Sequence, residues 1–366
     1  MAQDENTAGI RWSSVASGLL SAAVVFGGLT WAAGPLAPEL IQHDEAVPYR
    51  ENAQGVREVS FAERLANRKP EVVILGSSVT ACAIDPELLQ ERSGREVLDL
   101  TIAGGMSASW YLLTKNVIAK GAPKPKLVIL GFRDVYLTVP DFRVEGRYKA
   151  MLDRYVDGPE PVLDRRAYLA KLGTAEYLLR RHWAPFQRRD VIRDRAEALA
   201  KTGLPSILLG RSEDQLRESV ERVFAEENKM HPEVNSAEEK ALASDLDRHF
   251  DFDEVLPKSF LPEIIKVAKE NGIQLALVRM RPRRNAEPLE RQLKYPSFFR
   301  ELLPEYERKL DNYLEQQGVM LFDFTDDERI PLEWYARDDH LDFDFGRRGF
   351  TEILSEEMSA TLKALD

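Results

Sequence analysis

Cysteine is nearly absent from this sequence: Cys82 is the only one. A lone thiol forms no internal disulfide and no cysteine-rich zinc site, and it says nothing about redox compartment. Glycine-rich phosphate loops are missing too. There is no Walker loop and no G-x-G-x-x-G element, so nucleotide binding has no support. Surplus positive charge is lacking, with 50 Lys and Arg against 61 Asp and Glu and a formal net charge of -11. Neutralising phosphates needs a basic surface, so nucleic acid is not an expected partner. No internal repeat or low-complexity tract interrupts the chain, and its residues call for neither a metal nor a cofactor.

What remains is ordinary globular material. The 366 residues are 44% hydrophobic and 30% charged, which is enough apolar matter for a full core and argues against disorder.

The exception is the N-terminus. From Trp12 to Pro38 a run of 27 residues carries no charge, bounded by Arg11 and Glu39. As a helix it would span about 40 Å, against a hydrocarbon core of roughly 30 Å. Trp12 and Trp31 stand where interfacial anchors belong. A membrane anchor over 12–38 is the favoured reading, with 1–11 as a cytoplasmic tail. Two others compete. Ala32, Ala33 and Gly34 fit the cleavage site of a signal peptide, although the leading segment is not basic. The run also fits a buried helix of a soluble domain. Arg11 lies before the span and Glu39, Asp44, Glu45 and Glu51 after it, so the positive-inside rule puts the body outside the cytoplasm.

Residues 39–69 read as a polar linker holding a short helix, Phe61–Arg68. An α/β rhythm then begins. Val72-Val73-Ile74-Leu75, Val97–Ile102 and Leu127–Leu130 are compact apolar runs of strand length. A helix with Trp110, Leu113 and Val117 on one face is predicted over Ser107–Lys120. From about 165 to 260 the pattern turns helical and charged, basic over Tyr177–Ala200 and acidic over Ser212–Asp253. This reads as a helical insertion, or simply as solvated surface helices. The rhythm returns with a helix over Ile264–Asn271, the strand Gln274–Val278, a helix over Phe298–Gln317, the strand Val319–Phe322 and a closing helix over Phe350–Leu365. Strands alternating with helices at these lengths imply right-handed βαβ units, a parallel sheet and an α/β/α three-layer sandwich over 70–366.

Open parallel sheets carry their functional groups just past the carboxyl ends of the strands. Gly76-Ser77-Ser78 follows the first strand and exposes a hydroxyl at a sharp turn, or merely caps a helix. Gly104, after the second strand, lets the backbone approach a ligand. Gly131-Phe132-Arg133-Asp134 follows the third. Arg337-Asp338-Asp339-His340 precedes the last helix, and carboxylates beside an imidazole suit a general base for serine. Arg279, Arg281, Arg283 and Arg284 follow the fourth strand. Arg279 and Arg281 there suit a carboxylate or phosphate on an anionic polymer, or form a solvated basic loop.

The order of these blocks resembles the SGNH hydrolases, the GDSL-type esterase family, over about 70–135 and 262–366. Asp339-His340-Leu341 with Gly346 and Phe350-Thr351 is similar to the subgroup of cell-envelope polysaccharide O-acetylation and D-alanine transfer proteins. The resemblance implies Ser78 as nucleophile and His340 as base. It implies the amides of Ser78 and Gly104 as oxyanion donors, and it puts Arg133 where the family has asparagine. Arg337 stands where the family has aspartate, so Asp338 is the preferred acid, with Asp339 the other choice. The implied activity is that of an esterase or O-acyltransferase on an envelope or exported polysaccharide or an acylated small substrate, working beside a membrane acyltransferase. Arg133 and Arg337 favour the alternative, an inactive module that binds polysaccharide or scaffolds an export complex.

Overall fold

The computed structural model describes residues 60–144, 147–169, 249–336 and 339–365, all belonging to one compact unit. The uncharged run 12–38, residues 170–248 of the expected helical insertion, and Asp338 lie outside the described residues. Among the described residues no helix is long and apolar enough to cross a membrane.

Five strands form one sheet: β1 (Val72–Leu75), β2 (Val97–Asp99), β3 (Leu127–Phe132), β4 (Gln274–Arg279) and β5 (Met320–Asp323). Every pairing is parallel, in the order β2-β1-β3-β4-β5. Helices used below are α1 (Phe61–Arg68), α2 (Ser78–Ala83), α3 (Pro86–Ser93), α4 (Ser107–Leu112), α5 (Arg147–Tyr155), α6 (Leu261–Glu270), α7 (Leu303–Gln316), α8 (Gly346–Glu357) and α9 (Ser359–Lys363).

The central strands are apolar on both faces because helices cover both. Val72, Ile74, Leu127, Ile129, Ala276 and Val278 join a core with Leu89 of α3, Phe350, Ile353 and Leu354 of α8, and Leu362 of α9. The alternate residues Val73, Leu75, Val128, Leu130, Leu275 and Leu277 are equally buried. By the two-residue period of a strand they point to the opposite face. There α6 packs on β4 and α4, and α7 packs on β5. The expected α/β sheet is therefore present, with helices on both sides.

Several boundaries differ from the sequence reading. β2 ends at Asp99, whose carboxylate turns the chain by accepting the Thr101 amide at 2.8 Å. Leu100 and Ile102 still donate backbone bonds to Ile74 and Gly76, so the apolar run to Ile102 follows β1 to its end. The helix expected over Ser107–Lys120 widens to a π-helix at Leu113–Ile118. The Thr114 hydroxyl donates to the Trp110 carbonyl at 2.7 Å, a side-chain insertion of the kind that distorts a helical ladder. The helix expected over Phe298–Gln317 is two, Phe298–Glu301 and α7. Pro304 explains the break, since its ring excludes the preceding turn and it has no N–H to donate. The closing helix starts earlier, at Gly346, and is interrupted at Met358.

The strand order reverses between β1 and β3. That switch point opens a crevice at the carboxyl ends of the strands, where open α/β sheets hold ligands.

Candidate active site

Ser78 is the first residue of α2, at the end of β1. Its neighbour Ser77 caps the helix, accepting the Val79 amide at 3.3 Å. Capping thus falls to Ser77, and the Ser78 hydroxyl stays available. The turn is tight because Thr80 of α2 is buried directly against Gly76 and Gly131, the glycines at the ends of β1 and β3. A Cβ on either would overlap the Thr80 side chain.

His340 comes from the other end of the chain. Its loop closes through an antiparallel bridge between Tyr335 and Leu341, with the Ala336 amide donating to the His340 carbonyl at 2.8 Å. Leu341 is buried in the core, which pins the loop from below. The Trp334 carbonyl and ring lie against Gly346 and Gly349 at the start of α8, where any Cβ would collide with them. The loop delivers His340 Nε2 to 2.9 Å from Ser78 Oγ, across 262 residues of sequence. That is within the reach a general base needs.

α8 locks the two halves together. The buried Arg347 guanidinium donates to the Ile84 carbonyl through Nε at 3.0 Å and Nη2 at 2.9 Å. Thr351 accepts the Asp85 amide at 2.8 Å. The helix that follows His340 therefore holds the end of the helix that carries Ser78.

Ser78 and His340 open on a cavity of about 130 Å3 whose walls include Val79, Met106, Trp110, Phe132, Tyr136 and Met280. Its polar rim is Arg133, Arg143 and Asp339. A cavity of that size has room for a short acyl group beside Trp110, Phe132 and Met280.

Arg133 lies where the sequence placed it, at the end of β3 and on the cavity wall. Its Nη1 is 2.7 Å from Asp339, and its Nε is 3.3 Å from Asp134. Neither nitrogen has an aligned acceptor among the described residues, so these contacts are charge to charge. Burial alone would lower the Arg133 pKa, but the carboxylates of Asp339 and Asp134 outweigh it and hold the guanidinium firmly charged. Asp134 in turn receives Arg284, which places Nη1 at 3.2 Å and also contacts through Nη2. Burial would raise the Asp134 carboxyl pKa, but Arg284 and Arg133 hold it below the ordinary carboxylate range. An alternating chain, Asp339–Arg133–Asp134–Arg284, runs back from the cavity. Asp339, one of the two candidate acids, is thus engaged with Arg133. Asp338, the other, lies outside the described residues.

Gly104 adjoins the cavity without being part of its wall. Its φ is +74°, the left-handed region that favours glycine, and a Cβ there would lie 2.6 Å from Tyr148 Cε1. Arg279 and Arg281, expected to face an anionic ligand, are spent inside the protein. Arg279 is 2% exposed and clasps Asp323 at 2.5 Å and Asp311. Arg281 donates to the carbonyls of Ile330 at 3.0 Å, Asn285 at 2.7 Å and Asp327. Tyr335 donates to the Arg281 carbonyl at 2.8 Å, so Arg281 braces the segment leading to His340. Arg143 is a wall residue that sequence reasoning missed, since it belongs to no motif and follows no strand. Among the described residues no cluster of three or more His, Cys, Asp or Glu side chains is placed to hold a metal ion.

No protein-family model matches the chain and no curated protein does. Among solved structures, a Bacteroides fragilis protein assigned as an acylhydrolase aligns at 12% identity and TM-score 0.37, covering 83% of this chain and 100% of its own. A GDSL-like lipase of Bacteroides thetaiotaomicron aligns at 12% identity and TM-score 0.32, covering 86% of this chain and 95% of its own. Likeness this loose carries no argument, and the chemistry rests on the site's own geometry.

Proposed function

We propose that this chain is a serine esterase or O-acyltransferase. The observation that carries the reading is the 2.9 Å contact between Ser78 Oγ and His340 Nε2 on the wall of a small cavity lined by both apolar and charged side chains. Ser78 Oγ attacks an acyl carbonyl while its proton passes to Nε2. The carbonyl oxygen becomes an oxyanion, held by the amides of Ser78 and Gly104 with the Arg133 guanidinium nearby. The alcohol leaves with the proton from Nε2, and the acyl group stays on Ser78. Water then releases it, or a sugar hydroxyl accepts it. Asp338 orients the imidazole. The further proposal, a body held outside the cytoplasm by residues 12–38 and acting on an envelope or exported polysaccharide beside a membrane acyltransferase, is supported by the uncharged run and its flanking charges.

A second reading has its own support. Arg133 is tied to two carboxylates, so its charge is already engaged and less available to an oxyanion. A module that only binds an acylated sugar would show the same cavity. Turnover of p-nitrophenyl acetate by the full chain in detergent separates the two. Ser78→Ala and His340→Gln are each expected to reduce kcat by about 10^3-fold or more. Equal turnover by the wild type and Ser78→Ala would sink the nucleophile assignment and leave the binding module.

A further inference from the structure

The cavity holds two guanidinium groups and one carboxylate among its described wall residues. Arg133 and Asp339 neutralise each other at 2.7 Å. Arg143 remains. Among the described residues it has no ion pair, and its Nε is buried without an acceptor. The other arginines around the site, Arg279, Arg281, Arg284 and Arg347, all have acceptors within the protein.

Arg143 is nevertheless held in place. Its guanidinium carbon lies 5.1 Å from the Phe142 ring centre and 5.5 Å from that of Tyr148. Phe142 is itself stacked on Tyr136 at 5.6 Å, and Tyr136 carries Arg133 on its ring at 5.8 Å. Tyr148 reaches its place only because residue 104 has no Cβ. Arg143 also adopts φ +54°, a left-handed conformation unusual for a non-glycine residue. A left-handed backbone, two neighbouring rings and a charge with no ion pair among the described residues, at a cavity wall, describe a preorganised anion receptor.

We infer that Arg143 binds a carboxylate on the substrate, so that the preferred substrates are esters whose acyl or alcohol half carries a carboxylate. A planar guanidinium packed against two rings can meet a carboxylate at two points through its edge. This inference rests on the esterase reading for its reacting atoms, but the receptor itself does not require Ser78 chemistry.

The test uses two matched pairs with the full chain. With 4-acetoxybenzoate against its methyl ester, the carboxylate sits on the alcohol half. With monoethyl succinate against ethyl butyrate, it sits on the acyl half. The readout is the ratio of kcat/KM for the charged to the neutral member, so electronic differences within a pair cancel between wild type and variant. Arg143→Gln is expected to lower that ratio in at least one pair by about tenfold or more, and Arg143→Lys, which keeps charge but not the fork, by less. The pair that responds tells which half carries the carboxylate. Thermal unfolding of both variants confirms that they are folded. An unchanged ratio in both pairs overturns the inference while leaving the esterase reading intact. If the wild type hydrolyses none of the four esters, calorimetric titration with 4-acetamidobenzoate and 4-acetamidobenzamide replaces turnover. A carboxylate preference lost in Arg143→Gln then sustains the receptor and removes the esterase, and no preference overturns the receptor as well.

Discussion

Replacing Gly131 by alanine probes how the Ser78 helix is seated. A Cβ at 131 would lie 2.5 Å from Thr80 Oγ1, 2.6 Å from Cγ2 and 3.1 Å from Cβ. Carbon atoms prefer about 3.5–4.0 Å, so Thr80 must retreat by about 1 Å. It has little room, being 1% exposed and packed between the ends of β1 and β3. Overpacking of this kind costs about 1–3 kcal/mol. Losing the 3.2 Å bond from the Thr80 hydroxyl to the Gly131 carbonyl adds about 1 kcal/mol. Thr80 is two residues from Ser78 on the same helix, so the shift also pulls Ser78 from His340, and a misplacement of about 1 Å can cost about 10^2-fold in rate. Thr80→Ala in the Gly131→Ala background removes the two closest atoms. Urea unfolding across the four-member cycle should then show the double variant more stable than the sum of the single losses by about 1–3 kcal/mol, with part of the ester turnover recovered. Strict additivity, or a Gly131→Ala protein as stable as wild type, would refute the seating argument.

Two further outcomes follow from the charges behind the site. Burial raises Glu307 from 4.5 to about 7, with Arg279 opposing and Asp134 and Asp323 adding to the rise. The folded state then holds a proton that the unfolded state has released, so this contribution is complete below about pH 4.5 and is lost as pH rises toward 7. Between pH 5 and 7.5 wild type should lose up to roughly 3 kcal/mol relative to Glu307→Gln in urea unfolding, and parallel pH profiles would reject the assignment. Arg281→Met removes three donations to backbone carbonyls and should destabilise the fold by about 2–4 kcal/mol, with faster amide exchange at Ile330 and through the His340 loop. Unaltered exchange there would show that Arg281 does not brace the loop.

The sheet was legible because Val72–Leu75, Leu127–Leu130 and Gln274–Val278 are apolar without interruption, as strands covered on both faces must be. Ser78 and His340 were legible because a parallel sheet gathers its strand ends at one edge, whatever their separation along the chain. Arginines were harder to read. Arg279, Arg281 and Arg284 looked like one basic cluster, and sequence shows charge but not the partner that spends it. Their acceptors are Asp323, the Ile330 carbonyl and Asp134, all far along the chain. Arg143 was invisible for the converse reason: what sets it apart is that no described residue pairs its charge. The Pro304 break could have been read, since proline at that position ends a preceding turn.

The arrangement makes the reactive pair a product of tertiary docking more than of either local motif. Ser78 is aimed by a six-residue helix too short to persist alone. His340 sits in a loop closed by a single isolated bridge. Neither segment fixes its side chain by itself. What fixes both is α8, which begins six residues after His340 and places Arg347 and Thr351 on the Ile84 carbonyl and the Asp85 amide, where α2 ends. Phe350, between them, is buried in the core against Phe324. One amphipathic helix therefore secures the serine helix through its polar contacts and the sheet through its apolar face. The histidine loop is held between the two, with Leu341 in the same core. Any change that loosens α8 must lengthen the Ser78–His340 contact before it unfolds the sheet, because β1, β3 and β4 keep their own ladder and their opposite-face helices. Activity should for that reason be lost at lower denaturant than secondary structure, and the order of those two events follows from which contacts cross the site and which do not.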